Sequence, residues 1–373
     1  MKQGRSAMFT GLIVLLAGIL YVFILIGCEE RSGESGQPVQ QAAVSDGAGE
    51  PGERRPDTVV GGGVSPKEAD KQEAPPPPKF PLTGLTAPQD VQERPVMVMV
   101  ENSPQARPQT GLDQADLVYE ILAEGDITRF AAVYQSRAPK TIGPVRSIRP
   151  YYVEIGDGLD AYIVHAGWSE EAMDMLAGRK LSHLDEVYGD GKYYWRDAKR
   201  KMPHNLYTSI ELIRQGAKDK RFRTAWNGPL LQFTPDSPDG LSASPSGQTA
   251  AKAVIPYSRG YTVSYRYEAE SGTYLRSMND KPHTDALSGH TLSASNLIIA
   301  YAAHRVLDSE GRRRVDVFGP GQGVLLQRGT KKDITWERKE GLIRVYEGGK
   351  ELGWLPGQTW VQIVPSGTAV RIE

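Results

Sequence analysis

The segment Thr141–Tyr152, TIGPVRSIRPYY, constrains the fold of this chain more than any other stretch. Pro144 and Pro150 fix φ and remove backbone donors, so a helix cannot run through it. Arg146 and Arg149 stand three residues apart between them. A rigid irregular segment that carries two guanidinium forks is suited to clamping a carboxylate or phosphate. Three polar segments follow. His165 closes the apolar run Ala161–Val164 just before a turn at Gly167. Trp195-Arg196-Asp197 and Pro203-His204-Asn205 come next. The expectation is that all four segments converge on one open, electropositive recess.

The N-terminus addresses the compartment. Lys2 and Arg5 precede an apolar run from Met8 to Gly27, which is the plan of a signal peptide. Leu25-Ile26-Gly27-Cys28 resembles a bacterial lipobox, which implies cleavage before Cys28 and its lipidation. Retention of the run as a transmembrane anchor of roughly 20 residues, or its burial as a core helix, are the alternatives. In the first two cases everything after Cys28 lies outside the membrane. Residues 29–79 are rich in Gly, Ser, Gln, Glu and Pro and nearly lack large apolar side chains. They read as a disordered tether spanning about 40 Å as a coil.

Lys+Arg 44 against Asp+Glu 45 leaves the chain almost neutral, which argues against a nucleic-acid partner. Cys28 is the single cysteine, so one chain holds neither a disulfide framework nor a cysteine-rich metal site.

The remainder reads as α+β, with a mixed α/β domain over 80–225 and a mostly β domain over 226–373. Pro95–Glu101 is a strongly apolar strand. Leu117–Leu122 and Arg129–Tyr134 flank Glu124-Gly125-Asp126, a hairpin signal, with a helix over Asp113–Ala123 as the competing reading. Ser169 is placed to cap a helix ending at Gly178, and Thr208-Ser209-Ile210-Glu211 reads as a capping box. From Ala251 onward, short alternating runs are split by Gly, Asp and Asn turns.

Several motifs resemble the YerB-like lipoprotein family of Gram-positive bacteria. They include Arg94–Asn102, Ala106–Leu112, Ala115–Glu120, Ile142–Ser147, His165-Ala166-Gly167 and Pro203–Tyr207. Tyr274-Leu275-Arg276, Pro282–Asp285 and Gly357–Val361 extend the likeness into the second half. The resemblance implies a lipoprotein with two tandem domains and supplies no activity and no catalytic residues.

The candidate chemistry rests on few residues. His165 sits where a strand meets a helix N-terminus, a position that favours anions and suits a general base. Arg146 and Arg149 either bind an anion or pair with Glu120, Glu124 or Glu154. Glu120 and Glu124 can serve as an acid/base pair, as glycan hydrolysis requires, or simply neutralise the arginines. His204 and Asn205 flank a rigid proline. His283, Asp285 and His290 read as a polar loop. The basic runs Lys199–Lys201 and Lys218–Arg223 read as solvated surface, with anionic polymers or lipid headgroups as the alternative. Neither a metal nor a cofactor is expected. G-x-S-x-G, Walker A and H-E-x-x-H motifs are all missing from the sequence.

Two functions stay open. One is a membrane-tethered module that binds an anionic envelope component or a partner protein through Arg146, Arg149, His165, Arg196 and His204, with Asn205, Glu120 and Glu124 beside them. The other is a hydrolase of glycan or phosphodiester bonds, using His165 or His204 with Glu120 or Glu124.

Overall fold

In a computed structural model of the chain, residues 77–234 and 247–373 are described. The apolar run Met8–Gly27, Cys28 and nearly all of the proposed tether lie outside them. Among the described residues no helix is long and apolar enough to cross a membrane.

The first half contributes strands β1 (Val96–Glu101), β2 (Leu117–Leu122), β3 (Thr128–Tyr134), β4 (Tyr162–His165) and β5 (His183–Asp185). Its helices are α1 (Pro150–Gly158), α2 (Glu170–Gly178) and α3 (Ile210–Asp219). The second half contributes β6 (Lys252–Ser258), β7 (Tyr261–Glu268), β8 (Thr273–Met278) and β9 (Asn296–Ala302). They are followed by β10 (His304–Val306), β11 (Arg313–Val315), β12 (Gly321–Gln327), β13 (Thr330–Lys339), β14 (Leu342–Glu347) and β15 (Thr359–Pro365). The class is α+β, mixed in the first half and mostly β in the second.

One twelve-stranded sheet runs through both halves, in the order Lys350–Glu351, β14, β13, β12, β9, β15, β2, β3, β1, β4, β5. Gln248–Thr249 pairs at the side with β13. The join is made by β15. It runs parallel to β9 on one side and to β2 on the other, with Leu117 opposite Thr359 and Ile121 opposite Ile363. A strand paired and covered on both sides has no polar face, which is why Val96–Val100 is apolar in succession and β15 carries one inner polar residue, Gln362, satisfied by Tyr257 and Tyr265.

The two faces of the sheet bury separate cores. Met97, Met99, Leu117, Tyr119 and Ile121 pack with α1 and α2. Val98, Val118, Phe130 and Trp360 face α3 and a second, six-stranded sheet built on β6, β7 and β8. Tyr152 of α1 ties its helix to the sheet by donating to the carbonyls of Ile121 (3.0 Å) and Arg129 (2.8 Å).

The hairpin reading holds over the helix reading, because β2 and β3 pair antiparallel around the Glu124 loop. Three local expectations are corrected. Thr141–Arg149 is irregular as expected, but α1 starts at Pro150, where a proline's missing N–H costs nothing and its φ is already helical. Ser169 occupies the cap position of α2 without a side-chain hydrogen bond to that helix. The cap of α3 is Ser209, not Thr208; its Oγ accepts from the Leu212 N–H at 3.1 Å, and the helix runs on to Asp219.

Candidate functional site

The Thr141–Arg149 segment threads between the ends of two parallel strands and a loop. The Glu101 N–H donates to the Pro144 carbonyl, and the Arg146 N–H donates to the Met99 carbonyl at 3.0 Å. The Arg146 carbonyl accepts from the Ala166 N–H beyond β4, and the Val145 N–H donates to the Leu206 carbonyl. Arg146 is thereby held at the carboxyl ends of β1 and β4, the edge where open sheets with parallel strands collect ligands.

Glu101 is the hub of the site. It ends β1 on the face of Met97 and Met99 and is 4% exposed. Its carboxylate accepts from His204 Nδ1, 2.9 Å from both oxygens, and from Ser103 Oγ at 2.8 Å. Arg146 Nε lies 3.5 Å away. An acceptor-only carboxylate fixes the proton of His204 on Nδ1 and turns Nε2 away from Glu101. The side chains of Arg146 and His204 are 31% and 22% exposed, so this cluster reaches solvent.

The neighbouring cluster is closed by its own charges. Arg129 stands opposite Glu101 in the β1–β3 register. It donates to Glu124 at 2.8 Å and to the Ser147 carbonyl at 2.7 Å. Arg149 pairs with the second Glu124 oxygen and donates to the Ile148 carbonyl. Burial works to raise the Glu124 pKa, but Arg129 and Arg149 outweigh it and hold the carboxyl below its ordinary value. Arg196 bridges Asn205 (3.1 Å) and Glu186 (2.8 Å) beside His204.

The expectation of one open recess is therefore corrected. Arg146 and His204 meet on Glu101, with Arg196 and Asn205 adjacent to them. Arg149 and Glu124 neutralise each other. His165 is fully buried; its Nε2 lies 3.1 Å from His183 Nδ1 and its Nδ1 3.0 Å from the Gly167 carbonyl. A side chain sealed by a neighbouring strand cannot face a ligand in the recess. Glu120 is also fully buried, on the opposite face of the sheet, where Arg276 of β8 pairs with it at 2.8 Å. It cannot act with Glu124. His283 joins that same interior, linked to Arg276 Nε (3.0 Å) and Gln109 (2.7 Å), while Asp285 accepts from the Gly111 N–H. Within the basic runs, Arg200 donates to the Ala106 and Pro108 carbonyls, Lys220 pairs with Asp190, and Arg223 pairs with Asp160. Among the described residues no group of three or more His, Cys, Asp or Glu is placed to hold a metal ion.

Comparison with known proteins fits this architecture. Residues 82–223 match the family model described as "Protein of unknown function (DUF3048) N-terminal domain", and residues 253–361 match its C-terminal counterpart. The chain is 39% identical to "Putative lipoprotein YerB" of Bacillus subtilis (strain 168) over 299 residues, 79% of this chain and 88% of that protein. This chain belongs to the YerB family. The crystal structure of YerB from Bacillus subtilis superposes with a TM-score of 0.72 at 36% identity, covering 79% of this chain and 99% of that one. The family description carries no activity, so the reading of the site rests on its geometry.

Sequence reasoning missed Glu101, Ser103, Arg129 and the His183–Asp185 partners of His165. A signal for Glu101 exists: it is the lone carboxylate closing the apolar run Val96–Val100, on the strand just before a proline-rich loop. For His183 there is none, since the pairing of β4 with β5 depends on the turn of α2 between them.

Fully buried His165 and its partly buried partner His183 set a pH limit. Burial lowers the His165 pKa to about 4, with Asp185 opposing and not reversing the shift. His183 is lowered too, by burial and then by Lys220. The unfolded chain takes up these protons near the ordinary 6.5, so the stabilisation is complete above that pH. It is lost as pH falls from about 6.5 towards about 4. The melting temperature of the wild type is expected to drop across this window, and His165→Gln to drop less steeply. Parallel slopes for the two proteins would refute the assignment.

Proposed function

We propose that this chain is a lipid-anchored extracytoplasmic lipoprotein whose folded part binds an anionic group of a cell-envelope component at Arg146. The anchor follows from the lipobox-like sequence ending at Cys28, together with a relative whose name includes the word lipoprotein. One observation carries the binding reading. The terminal nitrogens of Arg146 have no partner among the described residues, while those of Arg129, Arg149 and Arg196 are all engaged. A partly exposed guanidinium, carried on a backbone held by hydrogen bonds to Met99 and Ala166 and drawn to the Glu101 carboxylate 3.5 Å away, is a preorganised fork for phosphate or carboxylate.

The test titrates the wild type and two variants with purified phosphate-bearing wall polymer. Arg146→Ala is expected to weaken binding at least tenfold, about 1.4 kcal/mol. Arg149→Ala should weaken it less, because that side chain is already committed to Glu124. Unaltered affinity in Arg146→Ala, with the fold intact by circular dichroism, would defeat the proposal.

One observation favours the hydrolase as a second reading. Glu101 orients His204 as a carboxylate orients a catalytic imidazole, and His204 Nε2 has no partner among the described residues. Polymer cleavage that disappears in His204→Ala supports catalysis, whereas saturable binding without product supports the module.

A further inference from the structure

A second recess lies between α1, α2 and the β10–β11 hairpin and encloses about 420 Å³. Such a volume falls in the range of small-molecule sites, about 300–1,000 Å³. Its walls are apolar: Tyr151, Met175, Val315, Val317 and Phe318. Phe318 is 49% exposed at the mouth, and the hairpin continues into Val306 and Leu307, which are 53% and 43% exposed. Apolar side chains grouped this way around a recess mark a binding surface.

The polar part of the lining is incomplete. His304 Nε2 and Arg313 Nε are both buried and without hydrogen-bond partners. His304 Nδ1–H donates to the Ala302 carbonyl at 3.1 Å, and Arg313 Nη2 donates to the Gly125 carbonyl at 2.6 Å, so both side chains are fixed. Buried polar groups of this kind are normally satisfied. The acids of the lining are already engaged. Glu154 pairs with Arg179 and Arg338, Asp316 accepts from the Phe318 and Gly319 N–H groups, and Glu171 lies 3.4 Å from Arg314. Arg305, exposed at the rim, has no partner among the described residues.

We propose that this recess binds an amphiphile with a single acidic head group, its alkyl chain against Met175, Val317 and Phe318 and its head on Arg313, His304 and Arg305. A monoalkyl phosphate monoanion meets both unsatisfied atoms, whereas a carboxylate, which has no hydroxyl hydrogen, meets only Arg313 Nε. One phosphate oxygen accepts from Arg313 Nε–H, and a hydroxyl hydrogen is available to His304 Nε2. The site is separate from Arg146 and His204, and neither proposal needs the other.

The test is calorimetric titration of octyl phosphate into the intact chain held in phosphatidylcholine nanodiscs, with empty nanodiscs subtracted. Saturable binding of one octyl phosphate per chain is expected. Octanol and inorganic phosphate should each bind at least tenfold more weakly. Octanoate in a parallel titration identifies which acid the head site prefers. Met175→Trp, which fills the recess, and Arg305→Gln, at an exposed position that the fold tolerates, should each weaken binding at least fivefold. The proposal is overturned if neither octyl phosphate nor octanoate binds beyond the empty nanodiscs, if inorganic phosphate binds as tightly as octyl phosphate, or if both variants bind like the wild type.

Discussion

Arg276→Ala is expected to lower the unfolding free energy by about 3–5 kcal/mol, the range for breaking a buried ion pair from one side. The arginine of β8 and Glu120 of β2 are both fully buried, 2.8 Å apart, and they join the small sheet to the large one. Burial works against the charge of Arg276, and Glu120 with Tyr265 more than offsets it, so its pKa is raised. The guanidinium also donates to Tyr265 Oη at 2.7 Å and to His283 Nδ1 at 3.0 Å, and it lies over the rings of Phe130, Trp360 and Tyr265. Truncation therefore strands Glu120 without its cation, although Thr128 and Asn102 still donate to it. The pairing predicts a specific rescue. Glu120→Gln on the Arg276→Ala background removes the uncompensated charge and should recover part of the loss. Urea denaturation of the wild type, both single variants and the double variant measures this coupling. Additive losses would show that the pair does not act as a unit.

The second large effect is placed at Gly341. This residue turns β13 into β14 with φ +85°, and it abuts Gly158, the last residue of α1. A Cβ at Gly341 would lie 2.7 Å from the Gly158 Cα and closer still to its carbonyl oxygen. The obstacle is backbone, so no side chain can rotate away. The left-handed conformation costs an L residue about 1–2 kcal/mol. Overpacking adds about 1–3 kcal/mol. Gly341→Ala should therefore destabilise the protein by about 2–5 kcal/mol in the same denaturation experiment. Gly260, at φ +82° with no atom within 4 Å of a built Cβ, is the control. Gly260→Ala should show the conformational part alone. Equal losses at the two glycines would mean that the contact between α1 and the β13–β14 turn carries no steric constraint.

The legible parts of the fold were those set by neighbours in sequence. Gly125-Asp126 between two β-rich runs announces the β2–β3 hairpin, and the unbroken apolar run before Glu101 announces an interior strand. Helix α1 is not legible, because Pro150 marks a barrier to any helix running through it and is equally the favoured first residue of a new one. The join through β15 was beyond reach for another reason. Alternation and apolar content identify a strand but not its partner, and β15 and β2 come from opposite ends of the folded chain. The site shows the same division. Arg146 and His204 stood out because prolines stiffen the backbone beside them. Their meeting point, Glu101, presents itself in the sequence only as the end of a strand. Glu120 and His165 were misplaced because what seals them, Arg276 in one case and His183 in the other, lies on strands whose pairing local sequence does not reveal.

The position of β15 carries a consequence for biogenesis. Thr359–Pro365 lies far downstream of β2 in sequence, so until β15 docks the first half has one flank of β2 unpaired, an open template for foreign strands. Closure of the large sheet depends on a strand drawn from the far side of the second half. A chain that stops before β15 therefore leaves the first half with an unfinished sheet.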